Sequence, residues 1–226
     1  MKVGILTSGG KDSLYAAYLA SKTHELTCLI SMKSENPESY MFHVPNVDLV
    51  GLQAKAMELP LVFESTKGEK EKELEDLKRA LLTAKEKYEI KGIVSGAIAS
   101  VYQKSRIEKL CKKLDLASLT PLWGMDQEKY MEELLKNKFE FIIVGIAAHG
   151  LTTKEFLGKI IDEDLLRRLK EVKEKYNINL SGEGGEFESL VLNCSLFKKR
   201  LVIKKAVRDI EKETIGHYII KKAELL

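Results

Sequence analysis

Ser8-Gly9-Gly10-Lys11-Asp12-Ser13 separates a strand-like run from a helix-like one, and its reading decides the fold. Before it, Lys2-Val3-Gly4-Ile5-Leu6-Thr7 has the length and apolar character of a short buried strand; after it, residues 14–20 read as the opening of a helix. Adjacent glycines let a backbone approach a ligand closely, and the N–H groups and dipole of a helix start favour an anion there. A phosphate is the expected guest. The plain alternative is a tight glycine turn capped by Ser13. The longer nucleotide loop G-x-x-x-x-G-K-[ST] and the dinucleotide fingerprint G-x-G-x-x-G are both absent.

Working outward, further strand-length apolar runs fall at 25–32, 60–64 and 92–95, with an extended segment at 116–123. Helical patterns lie between them: Leu49, Leu52, Ala56 and Met57; then 67–88 with Leu74, Leu77 and Leu81; then 102–114. Strands alternating with helices imply parallel βαβ units and hence an α/β, doubly wound sheet. Ligands of such sheets gather beyond the carboxyl ends of the strands, where the strand order reverses. The loops at 8–13, 40–46 and 95–100 are all expected at such ends. Beyond Trp123 the pattern changes: a helix at 127–137, an apolar run at 141–148, a charged helix at 161–176, then segments rich in short strands at 188–194 and 200–225. The expectation is a phosphate-binding domain at 1–123 and a smaller α+β C-terminal lobe at 124–226.

Composition narrows the partners. A chain of 226 residues with 44% hydrophobic content can bury a sizeable core. The 37 basic and 34 acidic residues nearly cancel, which argues against a tRNA surface or a membrane surface as partner. No stretch approaches the ~20 apolar residues of a membrane span, and no signal peptide is visible. The three cysteines, Cys28, Cys111 and Cys194, form no C-x-x-C pair, so neither a disulfide framework nor a zinc site is expected, and a reducing cytoplasm fits. A homo-oligomer is compatible with this sequence.

Residues 8–13 resemble the PP-loop, S-G-G-x-D-S, of the ATP pyrophosphatase superfamily, whose members split ATP to AMP and pyrophosphate. Two further segments sharpen the resemblance: Ser95-Gly96-Ala97-Ile98-Ala99-Ser100-Val101-Tyr102-Gln103-Lys104-Ser105-Arg106, running on to Pro121-Leu122-Trp123-Gly124, and Gly182-Glu183-Gly184-Gly185-Glu186-Phe187-Glu188. With Leu157-Gly158 and residues 196–200, the combination is similar to the diphthine-ammonia ligase family, which completes diphthamide on elongation factor 2. The resemblance implies an ATP-dependent ligase that uses ammonium, proceeds through an acyl-adenylate and releases AMP and pyrophosphate. It also implies that the amides of Gly9, Gly10 and Asp12 and the hydroxyls of Ser8 and Ser13 hold the leaving pyrophosphate, with Lys11 adding charge. A tRNA-modifying enzyme with the same loop, or an ATP-binding module without turnover, are the alternatives.

In chemical terms, Gly96 and Ala97 offer small side chains against which an adenine could lie. Lys104 and Arg106 are cations on the first turns of a helix that starts at a strand end, suited to the charge developing on an α-phosphate; alternatively they are solvated or paired with a carboxylate. The acids Glu183, Glu186 and Glu188 suit either Mg²⁺ carried by ATP or the trimethylammonium of diphthine, with Phe187, Trp123, Tyr40 or Tyr102 as an aromatic face. A glycine turn with exposed acids is the plain alternative. Asp12 or Glu186 is the candidate metal contact. Gln103 joins the substrate set, and His43 is a candidate to orient substrate or accept a proton, with a merely packed histidine the alternative. No cysteine stands at Met1-Lys2 to cleave glutamine, so free ammonium is the expected donor.

Overall fold

A computed structural model describes residues 1–36, 45–69 and 72–226. The chain divides into two compact units, Met1–Gly124 and Met125–Leu226. Tyr40 and His43 lie outside the described residues.

The first unit runs β1 (Lys2–Leu6), α1 (Lys11–Ser21), β2 (Glu25–Ser34), a 3-10 turn (Val47–Leu49), α2 (Val50–Ala56), β3 (Leu61–Thr66), α3 (Lys72–Tyr88), β4 (Gly92–Val94), α4 (Val101–Lys113) and β5 (Ala117–Leu119). Its five strands are ordered β3-β2-β1-β4-β5 and every pairing is parallel. The chain therefore builds outward from β1 to β3, then returns to the other side of β1 for β4 and β5. Right-handed crossovers put α1 and α2 on one face and α3 and α4 on the other. The centre of β2, from Cys28 to Met32, is buried throughout, as a strand covered on both faces must be. Below α3 and α4 the core is Cys28, Ile30, Leu77, Leu81, Ile93, Ile107, Leu110 and their neighbours. On α3 the buried residues Leu77, Ala80, Leu81 and Ala84 recur at helical spacing, so the expected apolar stripe is present under a charged outer face.

The order reverses between β1 and β4. Hence the loops that follow these two strands part company there and leave space at the sheet's carboxyl end. One sequence expectation is shortened: only Ala117–Leu119 of the segment 116–123 forms a strand. Pro121 has no N–H to extend the ladder, and the chain turns instead, with the Trp123 N–H on the Thr120 carbonyl at 3.1 Å and the Gly124 N–H on the Ile98 carbonyl at 2.9 Å.

The second unit contains α5 (Gln127–Lys136), β6 (Glu140–Ala147), the short α6 (Thr153–Phe156), α7 (Glu163–Tyr176), β7 (Phe187–Asn193), β8 (Leu201–Lys212) and β9 (Ile215–Leu225). Its sheet is antiparallel, ordered β7-β6-β9-β8. Asp126 and Asp162 cap α5 and α7 by accepting from the N–H groups of Lys129 (3.0 Å) and Leu165 (2.9 Å). The end of the chain departs from the expectation of short strands: β8 and β9 are strands of 12 and 11 residues in one hairpin. A tight connection at Glu213-Thr214 lets the pairing run the full length. Leu157-Gly158 is pinned to β6 and β8, since the Gly158 N–H donates to Ile143 at 2.8 Å and Arg208 donates to the Leu157 carbonyl at 3.0 Å.

At the end of β3, the Thr66 hydroxyl hydrogen-bonds the Asp76 carboxylate, and with help from Arg79 this holds Asp76 below the usual carboxylate range. A depressed folded pKa contributes stability above the unfolded value that is lost as pH falls through the folded one. Thr66→Val should therefore cost about 1 kcal/mol at neutral pH. In urea titrations the gap between variant and wild type should narrow as the pH falls below about 4 and through the depressed native value, leaving only the loss of the bond that the Thr66 hydroxyl accepts from the Gly68 N–H at 3.2 Å.

Candidate functional site

The strand-to-helix loop is built by a small set of buried contacts. Helix α1 begins inside the motif, at Lys11; Gly10 is its N-cap in an extended conformation (φ −77, ψ 164), and no side chain caps it. The helix start thus presents backbone N–H groups and the positive end of its dipole without a side-chain acceptor of the usual capping kind. Thr7 Oγ1 accepts from the Gly9 N–H at 2.9 Å and lies 2.7 Å from Ser13 Oγ, while Ser13 Oγ donates to the Gly10 carbonyl at 3.1 Å. With the Ser13 proton on Gly10, the Thr7 hydroxyl proton goes to Ser13 Oγ. The three groups therefore form one directed chain across the loop.

Two members of the expected donor set have partners of their own here. The Gly9 amide and the Ser13 hydroxyl are spent inside the loop, because a turn this tight must satisfy its own buried polar groups. The expectation for Lys11 changes as well. Its side chain is 1% exposed, and its ammonium binds both Asp12 oxygens, at 2.8 and 3.1 Å. Asp12 is thus a partner of Lys11, and a phosphate arriving here meets a lysine whose charge is already balanced.

Gly96, just beyond β4, has a different task from the one expected. A Cβ at this position would lie 2.5 Å from the Ser13 nitrogen and 2.6 Å from the Asp12 carbonyl carbon. The missing side chain is space taken by the first turn of α1, so on that side there is no room for an adenine ring. Ala97 beside it is buried. Ser100 caps α4 by accepting from the Gln103 N–H at 3.4 Å.

On α4 the two expected cations are already engaged. Lys104 pairs with Glu108 one turn on, and its ammonium lies 4.9 Å from the centre of the Trp123 ring. The Arg106 guanidinium stacks 3.4 Å from the centre of the Tyr102 ring, also one turn away. Trp123 is 39% exposed, so its ring is open to solvent as well as to Lys104.

In the second unit, residues 182–186 form a compact turn ahead of β7, which Phe187 and Glu188 begin. The Gly182 N–H bonds the Asn179 carbonyl at 2.9 Å, the Gly185 N–H bonds the Gly182 carbonyl at 3.1 Å, and Glu186 Oε1 accepts from the Asn179 N–H at 2.8 Å. Glu186 thus braces the turn with one oxygen, while its other oxygen, Oε2, is buried with no hydrogen-bond partner. Phe187 is corrected outright: at 3% exposure, with its ring beneath Gly182, it belongs to the core and offers no face to a cation. Glu183 and Glu188 are half-buried. Among the described residues no three His, Cys, Asp or Glu side chains gather as a metal-holding group. Among them too, no helix is long and apolar enough to cross a membrane.

Sequence reasoning missed Thr7 and Gln53. Gln53, on α2, is fully buried and donates from Nε2 to the Gly9 carbonyl at 3.0 Å. A signal existed: Gln53 falls on the apolar stripe of its helix between Val50 and Ala54, and a polar residue on a buried stripe needs a partner.

A parallel sheet whose first strand feeds a glycine loop and a helix start at the point of strand reversal defines an α/β nucleotide-binding domain of the PP-loop class. The family model described as diphthamide synthase N-terminal domain matches residues 1–118, and the one described as diphthamide synthase C-terminal domain matches residues 126–226. The chain is 36% identical over 222 residues to the diphthine-ammonia ligase of Bos taurus, covering 90% of this chain and 83% of that protein. The human diphthine-ammonia ligase is 35% identical with the same coverage. The ligase of Schizosaccharomyces pombe is 35% identical over 96% of this chain, which spans 37% of that longer protein. The chain belongs to the diphthine-ammonia ligase family, a family of amide-forming ligases of diphthamide biosynthesis.

The contact between Gly96 and α1 makes one substitution informative. Gly96→Ala must push the Asp12-Ser13 backbone away, and overpacking of this kind costs about 2 kcal/mol. Thermal melting should show the loss, and the largest amide shift changes in a two-dimensional NMR spectrum should fall at Asp12 and Ser13 rather than along β4.

Proposed function

We propose that this protein converts diphthine on elongation factor 2 to diphthamide, using ATP and ammonium and releasing AMP and pyrophosphate. What carries the reading is the likeness to diphthine-ammonia ligases along 83% of the bovine protein's length, joined to a glycine loop that opens onto a helix start.

A carboxylate is a poor electrophile at neutral pH, so it must be activated before an amine can displace its oxygen. In the proposed sequence the diphthine carboxylate attacks the α-phosphorus of ATP, and the bond to the β-phosphate oxygen breaks. Pyrophosphate leaves into the loop at 8–13, where the Gly10 amide, the first amides of α1, the Ser8 hydroxyl and Lys11 receive it. Ammonia then attacks the acyl carbon, AMP departs with the bonding electrons, and a proton is released. Lys104 and Arg106 supply positive charge near the α-phosphate once they exchange their present partners for phosphate oxygens. Mg²⁺ brought by ATP would shield phosphate charge, and Asp12 would supply a hard carboxylate oxygen to it if released from Lys11.

The proposed acceptor contacts are Tyr102, Gln103 and Trp123 in the first unit and, taken separately, Glu183 and Glu188 in the second. An exposed indole and carboxylates that are not fully buried suit a trimethylammonium group, which cannot donate a conventional hydrogen bond and is held by aromatic faces and negative charge. Free ammonium is the proposed nitrogen donor because hydrolysis of glutamine needs a reactive thiolate. Burial pushes the Cys28 thiol up to about 12, and those of Cys111 and Cys194 up to about 11.

The test is to mix the protein with ATP, Mg²⁺, ammonium and diphthine-bearing elongation factor 2. Mass spectrometry should show acid becoming amide with one AMP released per conversion. Lys11→Ala should slow this by about a hundredfold. Alkylation of the native protein should leave the rate unchanged, and bulk tRNA should release no AMP. ADP in place of AMP, or conversion that needs glutamine, would overturn the reading.

A further inference from the structure

We propose that Gln53 is a positioning residue of the phosphate loop: through the Gly9 carbonyl it aims the Gly10 N–H at the anion. The inference rests on the reading of residues 8–13 as the pyrophosphate site, and it names which amide does the binding and what holds that amide in place.

The argument is stereochemical. The Gly9 carbonyl and the Gly10 N–H belong to one peptide unit, and the structure has no cis peptide bond among its described residues. In a trans peptide these two groups point in opposite directions. Gln53 Nε2, fully buried on α2, donates to the Gly9 carbonyl at 3.0 Å from the interior. The Gly10 N–H is therefore turned away from Gln53. The neighbouring peptide is locked in the other sense, since the Gly9 N–H is tied to Thr7 Oγ1 at 2.9 Å. Between them, Thr7 and Gln53 decide that Gly10 serves the ligand and Gly9 does not.

The same contact explains why residue 9 is glycine. Its φ is +86, a conformation that L side chains rarely adopt, and a Cβ would stand 2.6 Å from Gln53 Oε1. The glutamine fills the volume a side chain would need. Gln53 therefore sets both the identity of residue 9 and the orientation of the peptide after it. It lies behind the loop with no exposed surface, so it acts through Gly9 and touches no substrate.

Inorganic pyrophosphate alone serves as the probe. In the wild-type protein its addition should move the Gly10 amide proton downfield in a two-dimensional NMR spectrum and leave the Gly9 amide where it was. Gln53→Met keeps the side-chain length and removes the donor. Calorimetry should give it an affinity for pyrophosphate about tenfold weaker, the loss of one hydrogen bond's worth of alignment. The Gly10 shift should shrink with it, while spectra of residues distant from the loop remain those of the folded wild type. A glutamine that only stabilises the fold would lower the melting temperature without changing the affinity of the folded protein, and that result overturns the proposal. So does a wild-type response at Gly9 in place of Gly10, which is decisive even if Gln53→Met fails to fold. A wild-type protein that binds no pyrophosphate overturns the loop reading itself, whereas equal binding by wild type and Gln53→Met overturns only the role of Gln53.

Discussion

Everything in the candidate site depends on one backbone constraint, the left-handed turn at Gly9 held between Thr7 and Gln53. The loop has to reverse the chain from β1 into α1 within four residues while keeping a helix start open to an anion. That leaves several amides and carbonyls in a buried turn, each of which costs free energy unless it has a partner. Thr7, Ser13 and Gln53 supply those partners from the strand end, from the helix and from a second helix. What remains for a ligand is the set of groups that this bracing leaves pointing outward. Gly96 completes the constraint by letting β4 approach the first turn of α1 more closely than any side chain would permit.

The cations around this unit are held in the same economical way. Lys11 binds Asp12, Lys104 binds Glu108 and lies over Trp123, and Arg106 lies over Tyr102. Bare positive charge clustered at one place would repel itself and resist burial, so local partners stabilise the protein before substrate arrives. Phosphate oxygens, carrying more charge in a better geometry, can displace a single carboxylate or an aromatic face. On the proposed reading, binding would be an exchange of partners, each local to one turn of a helix.

Much of this architecture is legible in the sequence because its signals are local. The apolar run at 25–32 and the stripe of Leu77 and Leu81 report a covered strand and a one-sided helix through spacing alone, and both stand in the fold. Where the signal is ambiguous, the extended segment at 116–123 breaks into a three-residue strand and a turn, because Pro121 cannot donate to a ladder. The tail at 200–225 reads as short strands, because its charged residues interrupt the apolar pattern, yet it pairs as one long hairpin with local register shifts. Phe187 shows the same limit in the site: an aromatic beside glycines and acids suggests a ligand face, and packing beneath Gly182 makes it core.

By itself the sequence determined the order of strands and helices, the position of the glycine loop at a strand-to-helix junction, and the resemblance that family membership bears out. These follow from periodicity and from short motifs, whose physics involves residues within a few positions of one another. Only the tertiary structure decided which donors of the loop are available and which are consumed. The contact that settles this joins Gln53 to Gly9 across 44 positions of chain, and Gly96 meets Ser13 across nearly twice that separation. No local pattern encodes such a pairing, because it exists only once α2 and β4 have packed against the sheet and brought those groups to the same turn.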